Sequence, residues 1–282
     1  MSLKDYLTPP VSNSNAYQNN GELGRKINKI WDSPTFEALR MGDIVIMGLP
    51  DVVNNKMVMN DSSQWVRQEL YQLSFPGFMN GNLLDIGDLK KGNNIRDTLF
   101  SLNDLLRSFQ KAKVFTLLFG GSNIMSLGVM KSFELASVPY SYAIVEPSFS
   151  LAHYYEFKIL NYELLNYYSL ANQAYYLDQI QKKWFRKYDY ESLRLGKIRG
   201  HLEETEPFFR SSDGCSLSVN AVKHSDAPGQ KEAHPNGLYS EEICQMARYT
   251  GMANHLDVAG FFDYCPENDR NRVTAKLIAQ MM

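Results

Sequence analysis

The sequence lacks the features that mark several large functional classes. It has no apolar run near the ~20 residues that cross a bilayer. Its first residues, Met1-Ser2-Leu3-Lys4-Asp5-Tyr6, carry no apolar signal-peptide core. It has no excess of either charge: 29 basic against 31 acidic residues leave a formal −2, which argues against a nucleic-acid or membrane-surface partner. Cysteine is scarce, and Cys215, Cys244 and Cys265 form neither a CxxC pair nor a disulfide ladder. Three small buried thiols in a reducing, cytoplasmic setting are the expectation. No P-loop, nucleophile elbow or HExxH motif occurs, and Gly120-Gly121 lacks the spacing of a dinucleotide-binding loop.

What is present is enough apolar residue, 44% against 21% charged, to build a sizeable core. Asp43–Pro50, Asn82–Gly87, Val114–Phe119, Tyr140–Val145, Gly214–Ala221 and Asp257–Tyr264 are apolar runs that read as strands. Between them, Trp65–Leu73, Arg96–Ala112, Asn123–Phe133, Ser240–Tyr249 and Val273–Met282 have helical signals. This alternation predicts an α/β protein with a mostly parallel sheet covered on both faces. Residues 1–41 read as an N-terminal arm and lead-in helix, and residues 42–282 as a single domain. The aromatic stretch Leu151–Tyr176 reads as a packing surface, Ala174–Leu177 as a further strand, and Gln179–Gly200 as a charged helix.

Three strands end in polar loops: Gly120-Gly121-Ser122-Asn123, Glu146-Pro147-Ser148-Phe149-Ser150, and Leu217 through Gly229. In an open α/β sheet this edge holds the ligand.

These loops, taken with Gly42–Pro50, Trp65–Leu73, Asp85-Ile86-Gly87-Asp88, Asn236–Gly251 and Phe262–Pro266, resemble the ureohydrolase superfamily (arginase, agmatinase, formimidoylglutamase). The formimidoylglutamase-like branch is the most similar. The resemblance implies a three-layer α/β/α arginase-like fold around a sheet of about eight strands. It also implies hydrolysis of a guanidino or formimino carbon by a hydroxide bridging two Mn²⁺. Such a pair needs several carboxylates and imidazoles.

The family takes its ligands from Gly-Gly-x-His, Asp-x-His-x-Asp and Ser-x-Asp-x-Asp segments. The matching positions here are Asn123, then Glu146, Ser148 and Ser150, then Asn220 and Val222. Only Glu146 keeps an ionisable group, and a lone carboxylate leaves most of four positive charges uncompensated. The expectation is therefore a pseudoenzyme without a cofactor, acting as a binding or assembly component. The alternative is a manganese-dependent hydrolase of formiminoglutamate or a guanidino or amidino compound with an unconventional ligand set.

Glu242 matches a family glutamate that holds the substrate's cationic fork, although Glu241 and Glu242 also suit a helix's first turn. Asp226 reads as a brace of the Asp-Ala-Pro-Gly turn, and a displaced site from Glu146, His153, His224 and Asp226 can be drawn. Asn123, Ser148, Ser150, Ser218 and Asn220 outline a neutral pocket for a small polar ligand. A homo-oligomer or an active paralogue is the expected protein partner.

Overall fold

A computed structural model describes residues 3–10, 22–31, 39–51, 61–74, 81–134, 138–151, 159–253 and 255–282. Its strands are β1 (Leu7–Thr8), β2 (Asn28–Lys29), β3 (Ile44–Gly48), β4 (Leu83–Leu89), β5 (Phe115–Phe119), β6 (Tyr140–Val145), β7 (Leu165–Asn172), β8 (Glu191–Arg194), β9 (Gly214–Ser218) and β10 (Val258–Phe262). They form one sheet in the order β1-β4-β3-β5-β10-β9-β6-β7-β8, with β2 also on β4. Every pairing is parallel except β1 with β4.

The strands read as unbroken apolar runs because both faces are covered. Along β3, Val45 and Met47 belong to one buried cluster and Ile46 to the other. The first cluster takes Leu99, Leu102, Leu105, Leu106 and Phe109 from the helix Ile95–Ala112, together with Trp184 from the helix Gln179–Tyr188. The second takes Val66 and Leu70 from Asp61–Tyr71, Ile243 and Met246 from Ser240–Gly251, and Leu277 and Ile278 from Val273–Met281. Alternate side chains of each strand thus feed opposite cores, which is the three-layer α/β/α arrangement.

The helix Ile95–Ala112 starts where Asn94 accepts the Asp97 N–H at 3.0 Å and ends at Lys113 in the left-handed region. Near the C-terminal edge of the sheet, Arg67 is wholly buried. It donates to Asp85 at 2.6 and 3.3 Å and to Asp88 at 3.0 Å, tying its helix to β4.

Some elements differ from the sequence reading. Leu3 and Leu7 are buried, and β1 and β2 belong to the sheet, so the leading residues are not wholly irregular. The seventh strand is Leu165–Asn172, not Ala174–Leu177; it contains no Val or Ile to announce it. Gln179–Gly200 is not one helix but a helix, the strand β8 and a single turn. As an edge strand, β8 pairs on one side and keeps Glu191, Ser192 and Arg194 exposed, so its pattern is polar. Among the described residues, no helix is long and apolar enough to cross a membrane.

Candidate functional site

Strands β5, β10, β9 and β6 are neighbours at the centre of the sheet. Being parallel, they deliver their following loops to the same edge. Gly120 and Gly121 leave β5 with φ of +79° and +67°. A Cβ on Gly121 would meet the Pro50 carbonyl oxygen at 2.9 Å, so the turn needs glycine for both conformation and space. The turn leads into a short 3₁₀ segment, Asn123–Met125, which buries Asn123 between the ends of β6 and β10.

The Asn123 side-chain amide donates to Glu146 Oε2 at 2.9 Å and to Ser150 Oγ at 3.1 Å. Its backbone N–H donates to Asp263 Oδ1 at 2.8 Å. Glu146, 2% exposed, also accepts from the Ser150 N–H and the Tyr167 hydroxyl, both at 3.0 Å on Oε1. Burial pushes the Glu146 carboxyl up to about 7; hydrogen bonds from Ser150 and Tyr167 oppose this, and the charge of Asp263 adds to it.

Asp263 follows β10 with φ +68°, and its N–H donates to the Gly121 carbonyl at 2.9 Å. Its carboxylate accepts from Ser218 Oγ at 2.5 Å as well as from Asn123 N. Burial raises its pKa above the ordinary aspartate value, against the pull of those two donors. Ser218 in turn accepts the Asn220 N–H at 3.1 Å. Two buried acceptors, Asn123 Oδ1 and Asn220 Oδ1, have no partner.

Asn123, Glu146, Ser150, Ser218 and Asp263 therefore form one hydrogen-bonded group at the strand edge, with Asn220 on its margin. Ser148 is partly buried on the turn after β6. Val222 is fully buried in the apolar core beside Leu238. Glu242 and Asp226 converge on the start of the helix Ser240–Gly251. Glu242 accepts the Tyr239 N–H at 2.7 Å, and Asp226 accepts the Ser240 N–H at 3.2 Å and pairs with Lys223 at 3.3 Å. His224 lies in the loop after β9, with its N–H on the His234 carbonyl. His153 lies outside the described residues.

Sequence reasoning missed two members, Asp263 and Tyr167. An acid immediately after the apolar run 258–262 was a usable signal for Asp263. Nothing distinguished Tyr167 from the tyrosines around it.

Two dications bring four positive charges, and the group offers two carboxylates whose oxygens already accept internal hydrogen bonds. The donors of this group, among the described residues, do not fit a metal pair. Among the described residues, no cluster of three or more His, Cys, Asp and Glu is disposed to hold a metal. The oxygen donors of this group and its margin that a single ion would have to draw on are the Glu146 and Asp263 carboxylates, which already accept hydrogen bonds, and the unpartnered amide oxygens of Asn123 and Asn220.

No protein-family model matches the chain, and no curated protein matches it in sequence. Solved structures do. Formimidoylglutamase from Bacillus subtilis superposes with a TM-score of 0.77 at 15% identity, over 94% of this chain and 90% of that one. Trypanosoma cruzi formiminoglutamase with Mn²⁺ gives 0.72 at 18%, over 85% and 90%. Proclavaminate amidino hydrolase from Streptomyces clavuligerus gives 0.68 at 16%, over 88% and 94%.

These neighbours correct the expectation of a chain without a cofactor. Several of the Trypanosoma cruzi structures carry Mn²⁺, so the fold points to manganese rather than to no metal. The expectation counted Glu146 as the only carboxylate, whereas Asp263 supplies a second one beside it.

Proposed function

Taking the chain as a ureohydrolase-fold protein of the formimidoylglutamase-like kind, we propose that it binds a small, N–H-rich polar ligand at the strand-edge site and does not hydrolyse it. The observation that carries this reading is the state of Glu146. Both its oxygens are engaged by Asn123, Ser150 and Tyr167, so it is a member of a closed network rather than an open ligand. The free oxygens of Asn123 and Asn220 suit an amide, amidine or guanidine, whose N–H groups satisfy buried acceptors. Manganese is the ion to test. A single Mn²⁺ would be held by the Glu146 and Asp263 carboxylates and the two amide oxygens, which would suit the preference of hard cations for oxygen, and the second carboxylate, Asp263, favours a second reading, a one-metal hydrolase. Three free cysteines suit a cytoplasmic setting.

Formamidinium and guanidinium chloride are the probes. The expected result is saturable binding by calorimetry that is lost in Glu146→Ala, with no ammonia, urea or formamide released in the presence of Mn²⁺, Co²⁺ or Zn²⁺. Release of ammonia that disappears in Glu146→Ala would establish the second reading instead. Two tightly held Mn²⁺ per chain by elemental analysis would contradict both.

A further inference from the structure

The loop after β9 runs beside the strand-edge group on residues 231–236 and is fixed at both ends. Gln230 bridges antiparallel to Tyr264, which sets Lys231 opposite Asp263. The Gln230 amide also donates to the Val219 and Val222 carbonyls at 2.6 and 2.7 Å. At the other end the Leu238 N–H donates to the Ala221 carbonyl at 2.8 Å. Gly237 lies so close to the preceding backbone that a Cβ there would meet the Lys223 nitrogen at 2.4 Å. Between these ends, five of the six residues are exposed and none is buried, so the crossing belongs to neither core and depends on a few local contacts.

Its side chains reach past the group on both sides. Lys231 Nζ pairs with Asp51, beyond β3, at 2.9 Å. His234 Nδ1 lies 2.9 Å from the hydroxyl of Tyr176, beyond β7, and the two rings are 4.6 Å apart. Between β3 and β7 stand β5, β10, β9 and β6, the four strands whose ends carry Asn123, Asp263, Ser218 and Glu146. The two moorings are therefore five strand spacings apart, about 24 Å at ~4.8 Å each. On the Lys231 side the crossing is close: the charges of Lys231 and Glu232 act on the Asp263 carboxyl, and Asp51 follows Pro50, which packs on the Gly121 turn.

The moorings differ in strength. On the β7 side the ring contact is backed by Gln173, 4% exposed, which donates to the Asn236 carbonyl at 3.2 Å and through its N–H to the Pro147 carbonyl at 2.9 Å. On the β3 side a single ion pair stands between side chains that are 40% and 32% exposed. Such a pair biases an equilibrium by about fivefold at most and is screened by salt.

We propose that the Lys231–Asp51 ion pair is the gate of the strand-edge site, closing its mouth across the ends of β10 and β5, and that a ligand enters when the pair opens. The ligand half of this inference rests on the reading of that edge as a binding site; the gate itself does not. The His234–Tyr176 side stays shut and forms the opposite wall.

The test uses the full chain, first without ligand. Amide exchange read by mass spectrometry over residues 120–125 and 261–265 reports the N–H groups of Asn123 and Asp263 beneath the gate. Lys231→Ala and Asp51→Asn are each expected to raise it about two- to fivefold, Lys231→Arg to leave it unchanged, and about 0.5 M NaCl to move wild type toward the variants. The two variants shift the local charge in opposite directions, so a rise common to both reports opening and not the local field. Formamidinium chloride titrations followed by NMR line shape, at constant ionic strength, are expected to show kon and koff rising together in both variants with Kd unchanged. Unchanged exchange in both variants would overturn the proposal. So would a rise matched in the helix Ile95–Ala112, which marks general loosening, or faster exchange with unaltered binding rates. Faster exchange with no formamidinium bound would support the gate and remove the ligand reading instead.

Discussion

Replacing Glu146 by glutamine is expected to stabilise the protein at alkaline pH, although it alters the centre of the candidate site. The Glu146 carboxyl is buried and its pKa lies near 7, against 4.5 for an ordinary glutamate. Below about 4.5 it is protonated in both the folded and the unfolded chain. Between 4.5 and 7 the folded chain holds a proton that the unfolded chain has released, so stability falls as pH rises through this window. Above 7 both states are ionised and the folded chain bears the full cost of a buried charge. The gap between the two values corresponds to roughly 3 kcal/mol.

Glutamine removes that charge while keeping the shape. Its carbonyl oxygen takes the Ser150 N–H and the Tyr167 hydroxyl. Its amide faces Asn123, which meets it by turning its unpartnered Oδ1 inward. The assay is urea denaturation from pH 4.5 to 8.5 with metal chelated. The expected wild-type curve descends by up to about 3 kcal/mol across the window, with Asp263, also raised by burial, sloping the same way. Glu146→Gln is expected to flatten most of that descent and to exceed wild type at pH 8. A flat wild-type profile, or a variant less stable than wild type at pH 8, would refute the placement of an uncompensated carboxyl in this pocket.

Two further outcomes concern the scaffold. Arg67→Ala strands Asp85 and Asp88 in the interior without their cation and is expected to cost about 3–5 kcal/mol, read as a large loss of the urea midpoint or as insoluble protein. Asn94→Ala removes the cap of the helix Ile95–Ala112 and is expected to cost about 1 kcal/mol. Asn94→Asp, which retains a cap acceptor, should recover most of it.

How much of this was legible depended on what each residue does in the fold. The central strands announced themselves, because Val45, Ile46, Met47, Leu217 and Phe261 are buried between two helical layers and tolerate no polar alternation. The edge strand β8 did not, since its Glu-Ser-Leu-Arg sequence meets solvent. Asn123, Glu146, Ser150 and Ser218 could be grouped from their positions after apolar runs. Their actual relation, each satisfying another's hydrogen bonds, is a matter of three-dimensional distance. Asp263 was marked as an acid directly after the apolar run 258–262, but its left-handed backbone at φ +68° carries no sequence mark. Tyr167 was hidden by company, because its ring packs with Phe149 and Tyr190 in the same aromatic cluster, while its hydroxyl, alone among the described tyrosines, donates to Glu146.

The way the sheet is finished at its two sides sets a limit on self-association. On one side the dipeptides β1 and β2 occupy the outer rim of β4. On the other, β8 offers only four residues, three of them solvent-facing and two of opposite charge. Among the described residues, an incoming strand from another copy finds no long, flat row of free amides and carbonyls to zip onto, which is the usual route from a wide parallel sheet to amyloid-like stacking. The sheet, among the described residues, therefore offers little edge for widening by a second copy.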